Sequence, residues 1–368
     1  MNPNDIKGYY KLDTPCLILQ EDLLIKNLTL FQELANLNNK KLRPHVKAHK
    51  SIELAKIQIE KGAVGICCSK LSEAEVMVEG GINDVLITSP IVGAVKLERL
   101  GKLSQKADIS IVIDSKPQIK ILSDLANKYQ TQLNIFIEID IGQGRCGVQP
   151  GMGAFEIAQE IIKYPNLNFA GVQAYHGKLQ GIKSFRERAN EVEVAMQRLS
   201  ASLDYFKDSQ ISVKTVTGGG TGSFLIDLTL PFLTELQPGS YVTMDCNYSQ
   251  NEWDETGKLE PISQPLSVLS TVISKPLPNK VILDAGWKSI SNDAGTPKPK
   301  YGSDSFDFAG DEHGVITSSK EYIDLEIGDR VELVPSHCDT TINLYDHFYL
   351  INANDYRKLA IDARGKIT

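Results

Sequence analysis

The sequence predicts an α/β protein built from a (β/α)8 TIM barrel and a smaller, mostly antiparallel β domain. Between about residues 23 and 245, short apolar or β-branched runs alternate with stretches whose apolar residues recur every three or four positions. Eight such runs occur, and eight parallel strands close a barrel of about 250 residues. Beyond about residue 260, Pro, Gly, Asn and Asp interrupt shorter strand-like runs. An open, doubly wound sheet is the structural alternative.

The predicted barrel occupies residues 22–260, and helical crossovers join its strands. The stretch 23–37 shows the helical pattern clearly, because its apolar residues fall on one stripe. The eight predicted strands are Leu42–Lys47, Ala63–Cys68, Val85–Ser89, Ile109–Ile113, Leu133–Asp140, Ala170–Tyr175, Ser212–Thr217 and Tyr241–Asp245.

The predicted β domain combines residues 1–21 with residues 261–368. Its strand-like runs are Leu266–Ser274, Lys280–Leu283, Tyr322–Leu325, Arg330–Val334 and His347–Ile351. The opening run Cys16–Leu19 precedes the first barrel helix and could pair with this later sheet.

Composition argues against several classes of function. The net charge of −7 and the isoelectric point near 5.5 give no electrostatic basis for binding nucleic acid or an anionic membrane. No apolar stretch of about 18 residues is present, and charged residues interrupt the opening run MNPNDIKGYYKLDTP, where a signal peptide needs apolar residues. The six cysteines show no CxxC spacing. We therefore expect a reduced, cytoplasmic protein.

Polar residues alternate along the first predicted strand. Arg43, His45 and Lys47 would share one face, and burying three polar residues inside a barrel is costly unless they bind something. Lys47 ends the strand, at the rim where barrel enzymes hold catalytic groups. Cationic neighbours and apolar walls would lower the pKa of its amine and suit it to Schiff-base formation. Lys50 is the rival nucleophile, and a basic loop before a surface helix is the non-functional interpretation.

A glycine-rich turn, TGGGTGS at 217–223, follows the seventh predicted strand. Its glycines let backbone N–H groups converge on an anion, and the loops after strands seven and eight of a barrel often hold a phosphate. A simple turn is the alternative. The residues of the predicted phosphate cup are Thr217, Gly219, Gly220, Thr221, Gly239 and Ser240.

His337 and Asp339 stand two positions apart in a polar loop of the predicted β domain. In extended backbone both side chains can reach one ion, with Cys338 pointing the other way. Two protein ligands leave positions open for substrate, and an imidazole with a carboxylate favours Mn²⁺, Mg²⁺ or Co²⁺ over Zn²⁺. A turn beside a solvated histidine is the non-functional interpretation.

The segments RPHVKAHKS, AYHG, TGGGTGSF and PSHCDTTINLYD, in this order, resemble the D-threonine aldolase and D-serine dehydratase family of alanine-racemase-like enzymes. The resemblance spans nearly the whole chain. It implies a barrel with a β domain, pyridoxal 5′-phosphate (PLP) as the cofactor, and a homodimer in which the barrel of one subunit meets the β domain of the other at the active site.

The resemblance also implies roles for individual residues around the cofactor. Lys47, and not Lys50, would bind PLP covalently, with His45 close by. Arg145 matches the arginine near the cofactor's phenolic oxygen, and Tyr175 matches the tyrosine near its pyridine nitrogen. The glycine-rich segment and Gly239-Ser240 match the phosphate cup.

His337 and Asp339 match the metal pair of the aldolases, whereas the dehydratases carry cysteine at the second position and bind zinc. The carboxylate therefore favours an aldolase that cleaves D-threonine-like D-β-hydroxy-α-amino acids to glycine and an aldehyde. A D-serine dehydratase, a 3-hydroxy-D-aspartate aldolase and a non-catalytic PLP-binding protein are the alternatives. Ser69 and Trp287 depart from residues common in the aldolases, and we expect both to reshape the substrate pocket.

Overall fold

Strand β1 (Cys16–Gln20) and helix α1 (Glu21–Leu37) open the computed structural model, which describes residues 11–258, 262–352 and 355–368. The predicted domain boundary at 260 and 261 and the segment 1–10 lie outside the described residues. Helix α1 buries its apolar stripe, and the Phe31 ring stacks on those of Phe224 and Tyr241 at centroid distances of 4.1 and 4.3 Å. This stripe covers one side of the barrel.

Eight parallel strands form the barrel within residues 11–258. They are β2 (Lys41–Leu42), β3 (Ile66–Cys68), β4 (Asp84–Ile87), β5 (Asp108–Ile113), β6 (Leu133–Glu138), β7 (Leu167–Ala174), β8 (Thr215–Gly218) and β9 (Glu235–Leu236). They pair in the order β2-β9-β8-β7-β6-β5-β4-β3. The N–H of Cys67 donates to the carbonyl of Pro44 at 2.8 Å, which joins the two ends of the sheet. The predicted fold class is confirmed.

Helices or helical turns alternate with these strands. They are α2 (Ile52–Glu60), α3 (Leu71–Glu79), α4 (Ala94–Leu103), α5 (Lys116–Tyr129), α6 (Gly153–Ile161), α7 (Phe185–Lys207), α8 (Phe224–Asp227) and α9 (Cys246–Ser249). Leu, Ile, Val and Ala side chains from strands and helices form one continuous core between the two layers. No helix among the described residues is long and apolar enough to cross a membrane.

Two predicted barrel strands differ most from the structure. The first is shorter than predicted, and Lys47 lies on the 3-10 turn Val46–Ala48 instead of on a strand. The predicted eighth strand, Tyr241–Asp245, is wrong, because β9 comes earlier in the chain and Ser240–Val242 is another 3-10 turn. The apolar residues that suggested a strand pack outward, where Tyr241 lies against α1.

The β domain is a mostly antiparallel sheet. Its elements are β10 (Leu266–Leu277), β11 (Lys280–Leu283), β12 (Lys298–Pro299), β13 (Ser305–Phe308), β14 (Gly314–Thr317), β15 (Arg330–Val334), α10 (Cys338–Ile342), β16 (His347–Ile351) and β17 (Tyr356–Ala360). Strand β1 pairs antiparallel with β10 and parallel with β16, so the opening run does join this sheet. The predicted strand Tyr322–Leu325 is wrong, because the segment has no strand pairing: Ile323 N–H donates to Pro278 O, and Ile323 O accepts from the side chain of Lys275.

Candidate active site

A cavity of about 440 Å³ lies at the carboxyl end of the barrel, between the barrel loops and the β domain. Ten of the residues predicted from the sequence line it together: His45, Lys47, Arg145, Tyr175, Gly220, Thr221, Gly239, Ser240, His337 and Asp339. Because these residues are distributed over most of the chain, the fold itself assembles the site.

Lys47 points into this cavity from its 3-10 turn. Its side chain is 41% exposed, and its Nζ lies 4.0 Å from Oδ2 of Asp339. Burial opposes the ammonium charge, but Tyr175 and Asp339 outweigh it and raise the pKa of Lys47 above its ordinary value. The expectation of a lowered pKa was therefore wrong, because it counted cations and omitted this carboxylate.

Lys50 is turned away from the cavity. Its Nζ forms a buried ion pair with Oε1 of Glu73 at 3.2 Å. The same carboxylate accepts the backbone N–H groups of Ser69 and Lys70 at the start of α3. Lys50 thus serves to neutralise a buried carboxylate, and of the two lysines only Lys47 lines the cavity.

Arg43, which was predicted to share a face with these groups, lies elsewhere in the barrel. It pairs with Asp84 and with Glu235, whose Oε1 is 3.0 Å from the arginine Nε. Both acids begin their strands, so this network lies at the end of the barrel opposite the cavity.

The ring of His45 is held as a neutral imidazole. Its Nδ1 accepts the backbone N–H of Lys47 at 3.4 Å, so the proton resides on Nε2, which is 3.1 Å from the hydroxyl of Thr88. That hydroxyl in turn donates to the carbonyl of Cys68 at 3.2 Å. Burial, with Lys47 and Arg145 nearby, lowers the pKa of His45 well below its ordinary value.

Arg145 and Tyr175 contact each other on another wall of the cavity. The guanidinium carbon lies 5.6 Å from the centre of the tyrosine ring, and Nη2 lies 3.5 Å from Oε1 of Glu138. Glu138 is buried, and its Oε2 has no hydrogen-bond partner in the described residues. Burial raises the pKa of Glu138 despite the nearby arginine. Glu138 therefore contacts Arg145 from behind, while Arg145 lines the cavity and 48% of its side chain stays exposed.

A small cup at the cavity floor fits a phosphate group. The backbone N–H groups of Thr221, Gly239 and Ser240 have no acceptor among the described residues, so they are available to an anion. A Cβ at Gly220 would lie 2.5 Å from Oε1 of Gln180, so a larger residue there would have to displace this side chain, which accepts the N–H of Ser223 at 3.1 Å. The cup thus has the open donors and the close backbone approach that phosphate binding requires.

Thr217 and Gly219 do not line this cup, although they were predicted to. Thr217 is buried, and its hydroxyl accepts from Nε2 of Gln237 at 2.9 Å. Gly219 adopts φ of +70°, and a Cβ there would meet the carboxylate of Asp227. Both residues shape the turn from below, because the backbone rises toward the cavity only after Gly219.

His337 and Asp339 face each other with a gap suited to a cation. Nε2 of His337 lies 4.0 Å from Oδ1 of Asp339, while Nδ1 lies 2.7 Å from Oδ2 of Asp293. Burial lowers the pKa of His337, but the two carboxylates outweigh it and raise the value overall. No group of three His, Cys, Asp or Glu side chains in the described residues could enclose an ion, so other ligands would come from water or substrate.

The thiol of Cys338 is buried behind His337 and Asp339, the metal-type pair. It does not line the cavity, but it donates to Oδ1 of Asp339 at 3.3 Å, as does the hydroxyl of Ser240. Burial raises the pKa of this thiol well above its ordinary value, so it stays protonated. The pair accordingly offers an imidazole and a carboxylate, without a thiolate.

Asp245 joins the barrel to the loop that carries His337 and Asp339. Its buried carboxylate accepts the N–H of Tyr248 at 2.9 Å and that of Cys338 at 2.9 Å. Both domains of the same chain therefore supply the cavity. His337 and Asp339 line the same cavity as Lys47 of their own chain, and the homodimer with a shared active site remains a prediction.

Several lining residues escaped the sequence analysis. Thr88, Gln173, Gln237, Tyr248 and Asp293 all face the cavity. Gln173 stands two residues before Tyr175 on a strand, so period-two alternation could have found it. Thr88 lies in the predicted strand Val85–Ser89, and the other three lie on loops or helical turns, where no period marks a side-chain direction.

The two departures from common aldolase residues have different outcomes. Ser69 lines the cavity, in agreement with an effect on the substrate pocket. Trp287 does not line it, but is 48% exposed and stacks on Phe308 at 5.8 Å. Trp287 therefore does not shape the cavity that this chain forms by itself.

Comparison with known proteins identifies the family. The alanine racemase N-terminal domain family matches residues 19–247, and a serine dehydratase domain matches residues 265–351. The chain belongs to the alanine-racemase-like family. Its two domains are those of the branch that contains the D-threonine aldolases and D-serine dehydratases, and the family resemblance seen in the sequence is confirmed.

Individual relatives cover nearly the whole chain. A D-threonine aldolase from Arthrobacter sp is 39% identical over 358 residues, which are 96% of this chain and 93% of the relative. A 3-hydroxy-D-aspartate aldolase from Paracoccus denitrificans (strain Pd 1222) is 36% identical over 372 residues, or 97% and 93% of the two chains. The crystal structure of D-threonine aldolase from Filomicrobium marinum matches with a TM-score of 0.94 at 34% identity and covers 98% of both chains. The chain is thus homologous to lyases of a family that implies PLP.

Proposed function

We propose that this protein is a PLP- and divalent-metal-dependent aldehyde-lyase that cleaves D-threonine-like D-β-hydroxy-α-amino acids to glycine and an aldehyde. The observation that carries the proposal is that an amine and a metal-type donor pair share one cavity, with Asp339 at 4.0 Å from both Lys47 and His337. Breaking the Cα–Cβ bond of such a substrate requires electron withdrawal at its amine and removal of its hydroxyl proton. The barrel wall of the cavity offers groups for the electron withdrawal, and the β-domain wall offers groups for removal of the proton.

The barrel wall fits the cofactor that the family implies. PLP, when bound, supplies an electron sink for the bond that breaks at Cα. Lys47 would hold it covalently, and the cup at Thr221, Gly239 and Ser240 would hold its phosphate. The neutral ring of His45 hydrogen bonds to Thr88 and so adds no charge beside Lys47.

The β-domain wall fits a divalent cation. His337 and Asp339 would hold Mn²⁺, Mg²⁺ or Co²⁺, since their donor set contains no thiolate. Such an ion supplies Lewis-acid assistance to loss of a hydroxyl proton. Ser240 and Cys338 both donate to Oδ1 of Asp339, so they fix that carboxylate in place.

The direct test measures aldehyde release. Purified protein with PLP, Mn²⁺ and D-threonine should yield acetaldehyde, and EDTA should stop turnover without removing the visible absorbance of bound PLP. Asp339→Ala should lose the metal-dependent rate while its circular dichroism spectrum stays unchanged. Turnover that is indifferent to chelation would refute the metal assignment, and pyruvate from D-serine without aldehyde would indicate a dehydratase instead. Bound PLP with no turnover on any substrate would indicate a non-catalytic carrier.

One residue favours 3-hydroxy-D-aspartate as a second candidate substrate. Lys178 lines the cavity, is exposed, and forms no ion pair with any residue that the structure describes. A free ammonium at this position could bind the second carboxylate of such a substrate. A preference for 3-hydroxy-D-aspartate over D-threonine that Lys178→Met abolishes would support this candidate. An unchanged preference in the variant would count against it.

A further inference from the structure

Asp293 contacts His337 from a loop between β11 and β12 that no sequence pattern marked. Its Oδ2 lies 2.7 Å from Nδ1 of His337, and its side chain lines the same cavity as Lys47. Nothing in the proposed reaction so far uses this carboxylate, since it lies on the far side of the imidazole ring from Asp339.

The contact determines which ring nitrogen of His337 carries the proton. A carboxylate accepts but does not donate, so a neutral His337 must place its proton on Nδ1, next to Asp293. Nε2 then presents its lone pair toward Oδ1 of Asp339, at 4.0 Å. A histidine binds a metal only through an unprotonated nitrogen, so this tautomer is the competent one.

Asp293 is itself held in one orientation. Its Oδ1 accepts the hydroxyls of Ser291 at 2.6 Å and Thr340 at 2.9 Å, which leaves Oδ2 for the imidazole. Thr340 follows Asp339 directly in the chain, so the Asp293 carboxylate contacts both His337 and the residue after Asp339. A chance ion pair at the surface would not require hydrogen bonds on both carboxylate oxygens.

We propose that Asp293 is a positioning residue, which holds His337 in the tautomer and ring orientation that bind a divalent cation together with Asp339. This inference rests on the metal site of the proposed function. A carboxylate on the outer nitrogen also makes the inner nitrogen a better donor, and loss of such a partner typically weakens metal binding about 10–100-fold.

Direct Mn²⁺ binding to the PLP-loaded protein without substrate tests this role, with free Mn²⁺ measured by electron paramagnetic resonance. Asp293→Ala should weaken Mn²⁺ binding about 10–100-fold. Asp293→Asn should lose less, because its amide oxygen still accepts from Nδ1 but lacks the charge. The matched control is Asp311→Ala, which removes a 65% exposed carboxylate of the same domain and should bind Mn²⁺ as the wild type does.

The variant His337→Ala separates failure of this inference from failure of the metal site. If it binds Mn²⁺ as tightly as the wild type, the proposed metal site is wrong and the role of Asp293 is refuted with it. If His337→Ala loses binding while Asp293→Ala retains wild-type affinity, the metal site stands and only the role of Asp293 is refuted. A merely structural role for Asp293 would lower thermal stability without changing the Mn²⁺ affinity.

Discussion

The Nζ atom of Lys47 lies 4.0 Å from Oδ2 of Asp339, although the two residues belong to different domains of the chain. The distance is maintained by contacts between backbone segments. Cys246 and Asn247 donate their N–H groups to the carbonyls of Pro335 and Ser336, just before the metal-type loop. The barrel and the β domain therefore support the cavity together.

Substitution of Lys47 and of Lys50 should have opposite effects. Lys47→Ala should abolish covalent retention of PLP, measured by absorbance after gel filtration. Lys50→Met should retain PLP but lower the free energy of unfolding by about 3–5 kcal/mol, because Glu73 would be left buried and unpaired. Borohydride reduction followed by peptide mapping provides the independent check, and a label on Lys50 would contradict the assignment.

Gly220→Ala should weaken binding of PLP more than it destabilises the fold. The added methyl group would lie 2.5 Å from Oε1 of Gln180, which is held by the N–H of Ser223 at 3.1 Å. Either the turn or the Gln180 side chain that supports it must shift, and we expect the N–H groups of the cup to lose their convergence. Equilibrium titration of the apoprotein with PLP measures the effect. Gly153→Ala is the control, since its methyl group meets only Val148 at 3.6 Å, and equal losses in the two variants would refute the cup.

Asp245→Ala should loosen the loop that carries His337 and Asp339. The buried N–H of Cys338 and the partly buried N–H of Tyr248 lose their acceptor, at a cost of about 1–3 kcal/mol each. Urea unfolding should show the loss of stability, and Mn²⁺ affinity should fall as well. Asp245→Asn keeps one acceptor oxygen and should show roughly half the destabilisation. Full stability in the alanine variant would contradict the bridging role.

Asp227 should make the protein less stable as the pH rises from about 4 to 7. Burial raises the pKa of this carboxyl from 3.8 to about 7, although Ser223 and Gly220 hydrogen bond to it. Between these values the folded protein holds a proton that the unfolded chain has released, so stability falls with pH, by up to about 4 kcal/mol, and levels off above pH 7.

Asp227→Asn should remove this part of the pH dependence. Urea unfolding of the apoprotein at several pH values should give wild type and variant similar stability near pH 4, and a more stable variant at pH 8. Parallel curves for the two proteins over this range would show that the Asp227 carboxyl titrates normally in the fold.

The elements that sequence analysis predicted best are those that repeat a local pattern. Strands β4 to β7 extend over four to eight residues and are rich in apolar residues, so their type was clear. Strand β9 contains only two residues, too few to show a period, and the longer apolar run after it was mistaken for the eighth strand. Tyr322–Leu325 failed for a related reason, since its β-branched and aromatic residues occur equally well in a loop over a sheet.

The site shows the same division between local and distant information. Several site residues stand in short motifs whose residue types indicate a chemical role. All of them line the cavity: Lys47, Arg145, Tyr175, Gly220 and Asp339. Thr217 and Gly219 belong to the same motif as Gly220 but not to the cavity, because motif membership does not specify the direction of each residue.

The sequence by itself determined the barrel with its β domain, the family and the main chemical groups of the site, because periodicity and short motifs are properties of neighbouring residues. Only the tertiary structure decided that Glu73 engages Lys50, that Asp339 reaches the lysine of its own chain, and that Asp293 orients His337. These contacts join residues from separate elements, and they depend on how two domains pack, which no local pattern encodes.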